Sequence, residues 1–246
     1  MNLVILESRD VTPAGDVNLT DRRAAHLLNV LRVTPGQDVR VGLLDGPLGT
    51  GTVSDAAQGA VRLHCVFDAG RPARPRVDVL LALPRPKVLR RLWAQLAAIG
   101  VGQIILTNAA KVERDYFDTH LLRDEIYRPL LIEGLQQARD TRLPLVSIHR
   151  QFRVLVEDRL DALFTAGCRI MADPKATQRP DAVLVEPDAR VLAAIGPEGG
   201  WNDFERRLLE AHGFQAVGMG PRTLRVDTAC VAVLAIVHHV LQDRRA

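Results

Sequence analysis

The sequence predicts an α/β protein, a mostly parallel sheet between helices, preceded by a small β-rich unit. Three observations carry this. From residue 77 onward, short apolar runs alternate with helical segments, the pattern of strand–helix–strand units. The apolar runs, Val77 to Leu83 above all, lack the alternation of a half-exposed strand, so both faces are covered. Before residue 70 the pattern is one of short alternating strands joined by Gly-rich turns, which points to a small barrel.

In chain order, Asp21 can cap a helix running to about Leu31, with Ala24, Leu27, Leu28 and Leu31 on one face. Pro35-Gly36 stops it. Val39 to Val41 begins a strand, Asp45 to Gly49 turns, Thr50 to Val53 returns, and Val61 to Phe67 alternates as a further strand. Residues 70–76, with two prolines and three arginines, read as a linker between domains at 1–72 and 73–246. After it come the strand at Val77, a helix from Val88 to Ile99 ended by Gly100, and a strand at Ile104 to Leu106. A long helix follows from Leu121 to Ala138, in which Pro129 marks either a kink or a break. Strands are expected at Arg169 to Met171, Val183 to Val185, Val191 to Ile195 and Ala216 to Val217. Helices are expected at Asp203 to His212 and Asp227 to Leu241.

The composition, 47% apolar and 25% charged over 246 residues, is that of a globular protein with a sizeable core. Three Cys at 65, 168 and 230, without ligand spacing, exclude a disulfide scaffold and give no metal motif. The longest apolar run, Ala229 to Val237, is about half a membrane span. No secretory signal is visible, so a cytoplasmic location and no membrane partner are expected. The net charge of +3 is unevenly placed: residues 71–150 carry 14 basic against 8 acidic side chains. A basic middle fits a polyanion such as RNA, although spread over that length it also fits an ordinary solvated surface.

Two segments stand out. Ile195-Gly196-Pro197-Glu198-Gly199-Gly200 lies between an apolar strand and a helix that Asn202 can cap. Its glycines let backbone N–H groups approach a ligand, and ligands of α/β proteins bind at the carboxyl ends of the strands. It lacks both the Gly-Lys-Ser/Thr of a phosphate loop and the Gly-x-Gly-x-x-Gly spacing. Read alone, it is equally a tight turn. Gly218-Met219-Gly220-Pro221-Arg222-Thr223-Leu224-Arg225-Val226-Asp227-Thr228-Ala229 also joins a strand to a helix, and there Asp227 or Thr228 can serve as a cap. A weaker third segment is Met171-Ala172-Asp173-Pro174-Lys175. No Gly-x-Ser-x-Gly or His-Glu-x-x-His is present.

Together these segments resemble the RsmE family of 16S rRNA uracil-N3 methyltransferases, within the SPOUT superfamily. The resemblance rests on residues 195–200 and on Gly220 to Ala229. It is supported by His26 to Arg32 followed by Pro35-Gly36-Gln37, by Ala98 to Val101, and by Ile132 to Pro144. It covers nearly the whole chain. The chain departs from the family pattern at Thr107 to Arg114, at Gln136-Gln137 and at Val226-Asp227-Thr228. The resemblance implies a PUA-like RNA-binding barrel and a SPOUT domain whose C-terminal part is threaded into a deep trefoil knot. It implies S-adenosyl-L-methionine as cofactor, a homodimer, and 16S rRNA or the small ribosomal subunit as substrate, with uracil 1498 (rRNA numbering) as the family target. Cofactor contacts are then expected at Met171, Ala172, Ile195, Gly196, Pro197, Glu198, Gly199, Gly200, Met219, Gly220, Leu224 and Thr228.

Uracil N3 carries a proton in the neutral base, so the reaction the resemblance implies must remove it or stabilise the anion. Arg225 is the candidate for stabilising charge on the uracil carbonyls. Asp227 either orients Arg225 or accepts the proton; an ordinary Asp is a weak base, which favours orientation. Glu198 either holds the glycine loop through backbone N–H bonds, the favoured role, or faces the substrate. RNA contacts are expected from Arg22, Arg23, Arg32, Arg85, Lys87, Arg90 and Arg91. The chemistry requires no metal. Ribose 2′-O-methylation by the same fold, and a noncatalytic RNA-binding role in ribosome assembly, are the alternatives.

Overall fold

The computed structural model describes residues 2–57, 59–184, 186 and 188–243. The chain divides into two units: Met1–Arg74 with Leu131–Leu143, and Pro75–Leu130 with Pro144–Ala246.

In the first unit, strands β1 (Val4–Leu6), β2 (Asp16–Leu19), β3 (Asp38–Leu43), β4 (Leu48–Ala57) and β5 (Ala60–Phe67) form one sheet in the order β1-β3-β4-β5-β2. β1 runs parallel to β3, and the other neighbours are antiparallel. Along β5, Val61, Leu63 and Cys65 enter the core while Arg62, His64 and Val66 face out, the alternation of a sheet with one covered face. α1 (Arg22–His26) starts at Asp21, whose carboxylate accepts the Arg23 N–H, and runs on into a wider helical turn, Leu27–Leu31. The segment at 131–143 belongs to this unit: the Thr141 hydroxyl donates to Gly46 O at 2.6 Å, and the Asp45 N–H donates to Thr141 O at 2.7 Å. β1 and β2 are too short to leave a period in the sequence.

In the second unit, β6 (Val77–Ala82), β7 (Val101–Thr107), β8 (Leu145–His149), β9 (Cys168–Ala172), β10 (Val191–Ile195) and β11 (Phe214–Val217) form a wholly parallel sheet, in the order β11-β9-β10-β6-β7-β8. Every residue of β6, β7 and β10 is buried. The cause is a helical layer on each face. α2 (Pro86–Ile99) packs on β7 and α8 (Val226–Asp243) on β6 and β10. The other face carries Leu80, Ile105 and Leu192 against Phe152, Leu155 and Leu160 of a helical run and against Leu209. That run comprises α4 (Phe152–Val154), a wide turn at Leu155–Arg159 and α5 (Leu160–Leu163). α6 (Pro180–Val183) and α7 (Asp203–Ala211) complete the set, and α3 (Asp124–Ala138) begins in this unit and passes into the first at Leu131.

Two expectations change. Pro129 does not break α3, which begins at Asp124 after a separate short turn at His120–Leu122. The N–H that Pro129 lacks would have served the Glu125 carbonyl, and both residues are exposed, so water can serve it instead. The strand expected at Val183 to Val185 is not formed: Val183 ends α6, which Pro180 opens with its φ already set for a helix. Val185 lies outside the described residues.

Candidate functional site

The three singled-out segments follow β9, β10 and β11, so the parallel sheet brings all three to its carboxyl end. Between them lies a cavity of about 540 Å³. Its lining takes Ala172, Asp173, Pro174 and Lys175 from the first segment and Ile195 to Gly200 from the second. The third supplies Met219 to Leu224, and Lys111, Trp201, Asp203 and Arg206 close the wall.

The glycines are needed where backbones meet. A Cβ on Gly218 would lie 2.1 Å from Ala176 O, and the Gly218 N–H donates to Gln178 O at 2.9 Å. The Asp173 N–H donates to Val217 O at 3.0 Å, so the first and third segments are joined along their backbones. In the second segment, the Gly200 N–H closes a turn on Pro197 O at 2.8 Å, with Gly200 at φ 68. Lys111 donates to Gly199 O at 2.7 Å, and a Cβ on Gly199 would strike the Lys111 stem. Asn202 and Glu205 then form a reciprocal cap on α7. The second carboxylate oxygen of the buried Glu205 accepts the Ala110 N–H at 2.6 Å.

Glu198 does not bond its own loop in the favoured manner. Its carboxylate accepts the Arg85 backbone N–H at 3.3 Å, at the cap of α2, where a negative charge is favourable. Asp227 does not reach Arg225. Its carboxylate accepts Arg91 Nη2 at 2.7 Å and the Thr228 N–H at 3.0 Å. The Arg91 hydrogen bond holds the Asp227 carboxyl below the usual carboxylate range, so it is a poorer base than an ordinary Asp. Arg225 is exposed and lies outside the lining, next to Leu224, which is in it. Met171 points into the core cluster, and its neighbour Ala172 lines the cavity. Thr228 is exposed and is not in the lining.

Of the arginines expected to meet RNA, Arg22 and Arg32 are exposed in the first unit, and Arg85, Lys87, Arg90 and Arg91 in the second. Arg23 is different. Its guanidinium donates to Asp10 at 2.6 Å, to Asp21 at 3.0 Å and to Ile5 O at 3.0 Å, with its side chain mostly buried. Those donors are spent inside the unit, so Arg23 is a structural hub rather than a phosphate contact.

Sequence reasoning missed Lys111, Trp201 and Arg206. Trp201 had a signal, since it follows the glycine loop directly. Lys111 had none, because its partner lies 88 residues away. Among the described residues, no three His, Cys, Asp or Glu side chains are grouped to hold a metal ion. No described helix is long and apolar enough to cross a membrane.

Comparison with known proteins places this geometry. Residues 71–238 match the family model of the RNA methyltransferase domain. The chain is 31% identical over 242 residues to the ribosomal RNA small subunit methyltransferase E of Treponema pallidum, covering 96% of this chain and 90% of that protein. It is 28% identical to the protein of the same name from Synechocystis, covering 92% and 74%. Among solved structures, the Neisseria gonorrhoeae ribosomal RNA small subunit methyltransferase E, bound to S-adenosyl methionine, superposes with a TM-score of 0.77 at 19% identity over 98% of each chain. The chain belongs to the ribosomal RNA small subunit methyltransferase E family of RNA methyltransferases.

Proposed function

We propose that this protein transfers the methyl group of S-adenosyl-L-methionine to N3 of a uracil in 16S rRNA, with uracil 1498 (rRNA numbering) as the target. The observation that carries the reading is the cavity formed by three loops, two of them joined along their backbones, at the carboxyl end of a parallel sheet, in a chain of this family. Its size falls within the about 300–1,000 Å³ of small-molecule sites. Its lining suits the cofactor: apolar Ile195, Met219 and Leu224 for a ring, backbone groups of the glycine loops for its polar edge, and Asp173, Glu198 and Asp203 for a cationic ligand. Trp201 lines the cavity and has its indole N–H buried without a hydrogen-bond partner among the described residues.

When bound, the cofactor supplies an electrophilic methyl on a sulfonium. The chain must hold the base in line with it, which is worth on the order of 7–11 kcal/mol in ideal cases. It must also stabilise the anion left when N3 gives its proton to solvent; the methyl would then pass to N3 and leave the cofactor's sulfur as a neutral thioether. Arg225, exposed beside the cavity, is the residue for that task. Asp227, held by Arg91, keeps the start of α8 in place.

The same reading makes the first unit a PUA-like RNA-binding barrel and the enzyme a homodimer. It also threads the C-terminal part of the second unit into a trefoil knot. Support for the knot is that β9, β10 and β11 are neighbours out of chain order while α8 returns beneath β10 and β6.

The test is incubation with labelled S-adenosylmethionine and unmodified small ribosomal subunits, followed by nucleoside analysis. 3-Methyluridine, abolished in Arg225→Ala, is the expected result. A 2′-O-methylated nucleoside would instead mean ribose chemistry on the same fold. Cofactor binding without transfer would leave the substrate wrong.

A further inference from the structure

Each of the two glycine motifs contains one carboxylate, Glu198 in one and Asp227 in the other. Both carboxylates turn instead to the start of α2. Glu198 accepts the backbone N–H of Arg85, with the Arg85 guanidinium 3.8 Å away. Asp227 accepts Arg91 Nη2 at 2.7 Å, across 136 residues of sequence. Arg85 caps α2, and Arg91 lies in its second turn. The first turns of one helix therefore hold two of the three segments that wall the cavity.

The two arms differ in quality. The Glu198 carboxylate is about one-third exposed and its charge contact is long. The Asp227 carboxylate is 18% exposed, at hydrogen-bond distance from Arg91, and also accepts the Thr228 N–H. Val226 and Ala229, on either side of it, line the cavity. A shift of Asp227 therefore moves the wall itself. Sequence reasoning gave Asp227 a part in the chemistry and Arg91 a part in RNA contact, and the pairing occupies both.

We infer that α2 is a brace between the two glycine loops of the cavity, and that Arg91 is a positioning residue acting through Asp227. Arg85, Lys87 and Arg90 lie on the same stretch and are exposed. RNA phosphates drawn to that stretch would press on the helix that holds the cofactor wall, which couples the two ligands. The cofactor part of this inference rests on the proposed function.

The experiment uses the full chain with Arg91→Met, Asp227→Asn and the double variant. In the cofactor-free protein, amides of residues 226–230 exchange about fivefold faster in Arg91→Met, the scale of one well-placed charge pair at a helix N-terminus. The dissociation constant for S-adenosylmethionine rises by a similar factor, and the double variant is no worse than either single one. The reversed pair, Arg91→Asp with Asp227→Arg, recovers part of the loss, which a merely structural change would not. In turnover, the KM for S-adenosylmethionine rises more than kcat falls. Should Arg91→Met not fold, Arg91→Gln keeps length without charge and carries the same two outcomes. Unchanged exchange and cofactor affinity, with RNA affinity alone reduced, would overturn the inference and return Arg91 to phosphate contact. A wild type that binds no S-adenosylmethionine would overturn the proposed function, and exchange would then decide the brace by itself.

Discussion

The two units solve the burial of a sheet in opposite ways. The first covers one face, so β5 alternates strictly, and it pairs the mostly buried Arg23 with Asp10 and Asp21. The second covers both faces, so β6, β7 and β10 are buried along their whole length and mostly apolar, and the polar groups that line its cavity lie at the strand ends. A doubly covered parallel sheet has nowhere else to present backbone N–H and C=O groups to a ligand, which is why the cavity is there. A sheet covered on one face has a whole solvent face to offer an extended partner. One unit thus suits a small cofactor and the other a surface contact.

The largest expected effect breaks the second unit's side of this contrast. Gly218→Val drives a side chain onto the Ala176 carbonyl, where the partner is backbone and cannot swing away. We expect a cost of about 1–3 kcal/mol in denaturant unfolding and loss of measurable S-adenosylmethionine binding by calorimetry. Gly36→Ala in the first unit, at φ 88 but in open space, leaves cofactor binding unchanged.

The next effect sharpens the first unit's side. Arg23→Met leaves the Asp10 and Asp21 carboxylates without their shared partner and should cost about 2 kcal/mol in urea unfolding, with RNA affinity of the folded protein unchanged. Arg32→Ala should do the converse. Its stability is near wild type, and the salt dependence of RNA binding becomes shallower by about 0.9 in log–log slope if one phosphate contact is lost.

The smallest effect is acid sensitivity. Burial alone would raise the Asp10 and Asp21 carboxyls, but hydrogen bonds from Arg23 outweigh it and leave both below the ordinary value of 3.8. A carboxyl whose folded pKa is depressed adds stability that is fully present above its unfolded pKa. That stability is lost as pH falls through the folded value. The first unit should therefore lose stability progressively below about pH 4, the ordinary Asp range. Arg23→Met should flatten that dependence in acid titrations followed by circular dichroism.

Much of this molecule is legible locally. The Asp21 and Asn202 caps, the Gly100 stop and the apolar strand at Val77 are read from neighbouring residues, because a cap or a strand period is settled within a few positions. The strands at Val4 and Asp16 leave no local signal, being only three and four residues long. The helical run over 152–163 leaves none either, since a wide turn at Leu155–Arg159 spoils its period. The segment at 131–143 shows nothing that sets it apart from the helix it continues, yet Thr141 ties it to Asp45 and Gly46.

By itself, the sequence determined the two kinds of sheet, the position of each glycine loop between strand and helix, and, through those motifs, the family. Only the tertiary structure decided the partners of the charges. Arg23 could have faced RNA and faces two aspartates; Asp227 could have served Arg225 and serves Arg91; Lys111 reaches a loop 88 residues away. The physical reason is range. Backbone hydrogen bonds and hydrophobic period act between near neighbours and leave a local record. A guanidinium, in contrast, meets any carboxylate the fold brings within 3 Å, and among the 29 acidic residues only the folded geometry selects one.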